Sequence, residues 1–224
     1  MKYEVIGRNL PAALCKLEAG ETVLCQKGAM SWMDDGIEMQ TEGGGLGKMF
    51  GRALTGEAMF LNRYVANKAG EIAFASSFPG EIRGIEITPQ HSVIAQKRSF
   101  LASDEGVEVS VYAQTKIGKG LLGGEGFLMQ KFSGNGTVLI EIDGAAQEYV
   151  LQAGERKIID TGYLVMMDET CSMDIERIKG AKNALLGGEG FFNTVISGPG
   201  RIILQTIPAS KMASELYRFM PKSN

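Results

Sequence analysis

The residues that could do chemistry in this chain sit in three glycine-rich segments. Gly43-Gly44-Gly45-Leu46-Gly47-Lys48 has the glycine run and terminal lysine of a phosphate-binding loop. Such a loop needs a glycine five residues before its Gly-Lys pair and Ser or Thr after the lysine, within a strand–loop–helix unit. Glu42 and Met49 occupy those two positions and no strand–helix alternation surrounds them, which excludes nucleotide hydrolysis on this motif. What remains is the charge. Lys48 and Arg52, Lys116 and Lys119, and Lys179 and Lys182 recur just before a Gly-Glu dipeptide in each segment. Gathered together, they would form a positive rim suited to an anionic partner such as RNA or acidic lipid. A lysine kept in solvent at a turn is the blander reading. No aromatic residues interleave them, which argues against base stacking on single strands and leaves nucleic acid open as a partner.

The other candidates read as structural. Glu57, Glu125 and Glu189 follow the recurrent glycine, where a carboxylate accepts backbone N–H bonds. No second carboxylate, His or Cys recurs beside them for metal or acid–base work. Asp34-Asp35, Asp104-Glu105 and Asp168-Glu169 read as turn residues by the same logic. His91, the single histidine, has no counterpart in the other segments and no visible nucleophile to serve. Cys15, Cys25 and Cys171 are an odd number without C-x-x-C spacing, so they lack the ligand set of a zinc site and read as buried thiols in a reducing compartment. The expectation is no catalytic residue, no metal, no cofactor and no enzyme.

These segments belong to a repeat. Leu-Leu-Gly-Gly-Glu-Gly-Phe occurs at 121–127 and 185–191, with a worn copy, Ala-Leu-Thr-Gly-Glu-Ala-Met-Phe, at 53–60. Gly56, Gly124 and Gly188 are spaced by 68 and 64 residues. Upstream, Glu21–Lys27 lies over His91–Lys97 at an offset of 70, and that segment over Glu155–Thr161 at 64. Downstream, Lys68-Ala69-Gly70, Gly134-Asn135-Gly136 and Gly198-Pro199-Gly200 each precede an apolar run. Periods of this size mean copies of one supersecondary unit packed on one another.

The units read as β-structure. Gly106-Val107-Glu108-Val109-Ser110-Val111-Tyr112 alternates apolar and polar in the period-2 manner of a strand with one buried face. Phe127–Phe132 and Thr137–Ile142 read as strands about Gly134-Asn135-Gly136, and the spacing predicts a hairpin there, with about four strands per unit and this hairpin as the strongest pairing. Ala209–Phe219, opened by Pro208 and Ser210, reads as the one helix. The predicted organisation is a single triplicated β-domain over 1–207, with repeats at about 17–80, 86–145 and 150–207, and a C-terminal helix and tail over 208–224. The fold class is all-β, with sandwich or double-stranded β-helix-like units in approximate threefold symmetry. With 30 glycines, many turns are available; 44% hydrophobic and 22% charged residues fit a globular protein. A net charge of −3 argues against a strongly basic nucleic-acid surface. The N-terminal segment lacks an apolar stretch, so the reading expects no signal peptide, no transmembrane span and a cytoplasmic location.

The triplicated unit, the glycine-rich loop running into Leu-Leu-Gly-Gly-Glu-Gly-Phe and the opening Trp32 segment resemble the bacterial proteins related to the yeast altered-inheritance-of-mitochondria family. The resemblance spans roughly residues 2–210. It implies a fold like that of the tryptophan RNA-binding attenuation protein, with three β-units per subunit and assembly into a trimeric ring of nine. It also implies a link to inner-membrane organisation and respiratory-complex upkeep, without a known reaction or an established site motif. Two function classes follow: a non-enzymatic, ring-forming scaffold or binding platform, a homotrimer by preference, or an anion-binding module working through the basic loops. A small-molecule enzyme is a third class, and it would need a deep pocket with perturbed carboxylates.

Overall fold

A computed structural model describes residues 1–40, 61–112, 128–177 and 192–220. Among these the chain opens with β1 (Lys2–Ile6) and β2 (Ala12–Leu17). There follow β3 (Thr22–Gln26), β4 (Met30–Met33), β5 (Ile37–Gln40), β6 (Leu61–Ala66), β7 (Gly70–Ala75) and β8 (Gly80–Ile87). The next set is β9 (Val93–Gln96), β10 (Phe100–Asp104), β11 (Val107–Val111), β12 (Met129–Gly134), β13 (Gly136–Asp143) and β14 (Ala146–Leu151). The last is β15 (Arg156–Ile159), β16 (Leu164–Asp168), β17 (Ser172–Arg177), β18 (Phe192–Ser197) and β19 (Gly200–Gln205), before the short helix α1 (Ala209–Tyr217). Among the described residues the protein is all-β with one short C-terminal helix.

The strands form four antiparallel sheets. Their orders are β1-β2-β7-β4, β5-β6-β3-β10-β13-β8, β11-β12-β9-β16-β19-β14 and β15-β18-β17. The second six-stranded order is the first displaced by six strands. Each six-stranded sheet is joined at its middle by one pairing, β3 with β10 and β9 with β16. β4, β10 and β16 each carry a β-bulge at the same place, between Met30 and Trp32, Phe100 and Ala102, and Leu164 and Met166.

Three apolar cores lie between successive sheets. Cys15, Phe74, Val23 and Leu139 meet in the first, Ile87, Phe132, Ile140 and Ile203 in the second, and Ile94, Met167, Met173 and Ile196 in the third. The two six-stranded sheets therefore bury both faces. That is why β13 reads as a nearly unbroken apolar run: Leu139 points into the first core, while Val138, Ile140 and Ile142 point into the second. Phe100 and Phe132 meet across that second core with ring centroids 5.4 Å apart.

Two expectations are corrected. The turn at Gly134-Asn135-Gly136 is not a hairpin: β12 pairs with β11 and β9, whereas β13 pairs with β10 and β8. The turns after β6 and β18 likewise carry the chain from one sheet to another, so all three are corners. Positive φ at Gly134 and Gly136 (96° and 140°) serves a corner as well as a hairpin, so the glycines alone do not separate the two. The set of about four strands is also too small. β10 and β16 sit in fully buried runs without alternation, and β8 and β14 each cap a sheet edge.

Candidate functional site

The basic candidates Lys48, Arg52, Lys116, Lys119, Lys179 and Lys182 lie outside the described residues, as do Glu57, Glu125, Glu189 and the Gly43–Lys48 motif. Their flanking strands are described. Each segment joins a directly paired antiparallel couple: β5 with β6, β11 with β12, and β17 with β18. The last matched positions are Gln40 opposite Arg63, Val111 opposite Gln130 and Arg177 opposite Phe192.

The carboxylates that follow β4, or end β10 and β16, do something specific. Oδ2 of Asp34, Asp104 and Asp168 accepts the backbone N–H of Glu71 (2.8 Å), Thr137 (2.7 Å) and Arg201 (2.7 Å). Each of those amides comes one residue after a corner glycine, Gly70, Gly136 or Gly200. A Cβ on Gly136 would lie 2.7 Å from the Asp104 Cβ, and one on Gly200 2.6 Å from the Cys171 Sγ. Aspartate and glycine thus form one device: the small residue lets the chain turn against the carboxylate, and the carboxylate fixes the amide that leaves the turn. In two of the three cases the other oxygen meets a nitrogen. Asp104 Oδ1 lies 2.8 Å from the Met1 ammonium, and Asp168 Oδ1 lies 3.1 Å from His91 Nε2. The hydrogen bond that the Met1 ammonium donates to Asp104 holds it above its ordinary pKa.

His91 is therefore a bridge. Its Nδ1 is 2.9 Å from the Glu86 carbonyl, so both ring nitrogens face oxygen atoms. Among the described residues, each acid lining the open cleft of about 380 Å³ beside Met1 has a partner. Asp104 holds the Met1 ammonium, Glu105 pairs with Arg63 at 2.6 Å, and Glu21 accepts the Glu18 amide at 2.9 Å.

Sequence reasoning missed Glu141, Gln205 and Asp143. Glu141, buried in β13, accepts the Ser77 amide at 2.7 Å and the Ser76 hydroxyl at 2.9 Å. Gln205 accepts the Asp143 amide at 3.0 Å and donates to the Gly162 carbonyl at 2.8 Å. The Asp143 carboxylate accepts the Ala209 amide at 2.8 Å and so secures the start of α1. The signal for Glu141 was present: a charge inside an apolar strand run needs partners.

Cys15, Cys25 and Cys171 are buried and unpaired in disulfides. Burial pushes the Cys15 and Cys25 thiols up to about 12 and raises Cys171. Such thiols stay protonated near neutrality, the form that neither attacks nor ligates. Among the described residues no cluster of three or more His, Cys, Asp or Glu is placed to hold a metal. No described helix is long and apolar enough to cross a membrane.

The fold and these interactions define a class: an all-β protein of stacked antiparallel sheets whose recurrent carboxylates hold its corners. The family model described as "Mitochondrial biogenesis AIM24" matches residues 3–207, and the chain belongs to that family. It is 30% identical over 225 residues to an uncharacterized protein of Streptococcus pyogenes serotype M6, covering 96% of this chain and 89% of the relative. A crystal structure of a Streptococcus pyogenes protein superposes with a TM-score of 0.81 at 25% identity, over 98% of this chain and 99% of that one.

Proposed function

We propose that the protein is a non-enzymatic scaffold that works as a closed homo-oligomer, a trimer of the 24.1 kDa chain by preference. Each chain contributes three units related by approximate threefold symmetry, in the manner of the tryptophan RNA-binding attenuation protein. One observation carries this reading. The pairings β3–β10 and β9–β16 join neighbouring strand sets, while β15 and β4, the corresponding strands at the two ends, are open edges among the described residues. Proteins seldom leave such edges bare, and a ring removes them. The family description supports a scaffold that serves the upkeep of membrane or respiratory assemblies, and the free thiols suit a reducing cytoplasm. Mass photometry at micromolar concentration is expected to find a trimer; a strict monomer defeats the reading.

A second reading, binding of RNA or acidic lipid, is favoured by the placement of the basic segments. All three spring from strand couples in corresponding positions. Binding to RNA or to anionic vesicles should then weaken with salt and with neutralisation of Lys48, Lys116, Lys119, Lys179 and Lys182. No binding at low salt ends this reading.

A further inference from the structure

The two joints inside the chain share one register. In the first, Ala102 lies opposite Cys25, Ser103 opposite Leu24 and Asp104 opposite Val23. In the second, Met166 lies opposite Ala95, Met167 opposite Ile94 and Asp168 opposite Val93. The sequence offsets of 70 and 64 carry each of these positions onto the other, and carry both onto two strands that lie at sheet edges among the described residues: Trp32, Met33 and Asp34 at β4, and Ile159, Ile158 and Lys157 on β15.

Those open strands are already shaped for pairing. β4 has the same bulge as β10 and β16 and pairs with β7 as they pair with β13 and β19. β15 pairs with β18 as β9 pairs with β12: Ile159 faces Thr194 where Ala95 faces Gln130. Ile159 is buried in the third core, but the other apolar side chains of this register are uncovered. Trp32 is 49% exposed, Met33 37% and Ile158 65%, whereas Ala102, Ser103, Met166 and Met167 are at 0% and Ile94 at 1%. Apolar residues stand in water at the positions the internal joints bury.

We infer that β15 of one copy pairs antiparallel with β4 of a second copy, with Trp32 opposite Ile159, Met33 opposite Ile158 and Asp34 opposite Lys157. This rests on the oligomeric reading above and adds the partner, the strands and the register. The union completes a continuous sheet, β17-β18-β15 of one copy followed by β4-β7-β2-β1 of the next. The charges agree. Asp104 and Asp168 each hold a nitrogen at their joint, that of the Met1 ammonium or of His91, and Lys157 supplies one for Asp34. In the single chain the Lys157 ammonium rests 3.9 Å from the centre of the Tyr149 ring, within reach of exchange on an accessible surface. The contact is head-to-tail, the kind that makes a ring when it closes.

Directly opposed residues in an antiparallel pair have Cα atoms about 4.5–5.5 Å apart, inside the span a disulfide bridges. The test is the full chain carrying Met33→Cys with Ile158→Cys, oxidised gently with oxidised glutathione, run on a non-reducing gel and weighed by mass photometry. Covalent multimers that collapse on reduction are expected from this pair. None are expected from either single replacement, or from the off-register pair Met33→Cys with Lys157→Cys. Oligomers that do not cross-link in this register overturn the pairing and leave the scaffold reading standing; monomers overturn both. Trp32→Asp and Ile158→Asp, at positions exposed in the single chain, should each dissociate the oligomer while far-UV circular dichroism stays unchanged. An oligomer that survives both substitutions also overturns the inference.

Discussion

Replacing Asp168 measures what a corner carboxylate contributes. The side chain is 17% exposed, and its Oδ2 accepts the Arg201 amide at 2.7 Å. A hydrogen bond to a charged group contributes about 1.5–3 kcal/mol. Oδ1 adds His91 Nε2 at 3.1 Å and Arg201 Nε at 3.9 Å, but those partners are 37% and 30% exposed. Solvent screening reduces these pairs together to about 0–1 kcal/mol. Asp168→Ala should therefore cost about 2–4 kcal/mol. Asp168→Asn keeps an acceptor for the amide and loses the charge, so about half of that is expected. For a domain of this size each kcal/mol shifts Tm by about 2–4 °C, which puts the alanine variant roughly 5–15 °C below the wild type. Urea unfolding supplies the free energies, with the slope m unchanged. Asp35→Ala, one residue past Asp34 in an exposed pair with Lys68, is the control and should not move the midpoint measurably. The reasoning fails if Asp168→Ala unfolds like the wild type, or if Asn costs as much as Ala.

Alkaline stability should fall early. The folded thiols of Cys15 and Cys25 are raised to about 12, so their contribution is fully present below the unfolded thiol range and is lost as pH rises from about 8.5 toward 12. Urea midpoints between pH 7 and pH 10 should drop, and Cys15→Ala with Cys25→Ala should flatten the drop. Gly136→Ala combines a φ of 140° with a Cβ 2.7 Å from the Asp104 Cβ, and should destabilise by about 1–3 kcal/mol in chemical denaturation. Gly154→Ala, with nothing within 4 Å, should cost less. Phe132→Ala opens a void against Phe100 in the fully buried second core, and a loss of about 3–5 kcal/mol is expected by the same assay.

Local signals were legible where the physics is local. The alternation in Gly106–Tyr112 marks a strand with a solvent face, observed as β11 over Val107–Val111. The helix over Ala209–Tyr217 follows from its apolar spacing after Pro208. The carboxylates Asp34, Asp104 and Asp168 read as turn residues, and each does bind a backbone amide at a turn. The strands β10 and β16 escaped because both faces are buried: Phe100-Leu101-Ala102-Ser103 and Leu164-Val165-Met166-Met167 have no period to detect.

The offsets of 70 and 64 and the glycine-centred turns are properties of the sequence alone, and they were sufficient to recognise corresponding strands and an all-β chain. Which strand pairs with which is another matter. Gly134-Asn135-Gly136 supplies the positive φ that any tight reversal requires, and a hairpin and a corner make the same local demand. The choice depends on partners far along the chain: β13 finds β8 and β10, and Asp104 takes the Thr137 amide across 33 residues. Backbone hydrogen bonding is nearly indifferent to residue type. The sheet order was therefore decided by the burial of two faces at once, a condition that exists only after all the strands have assembled.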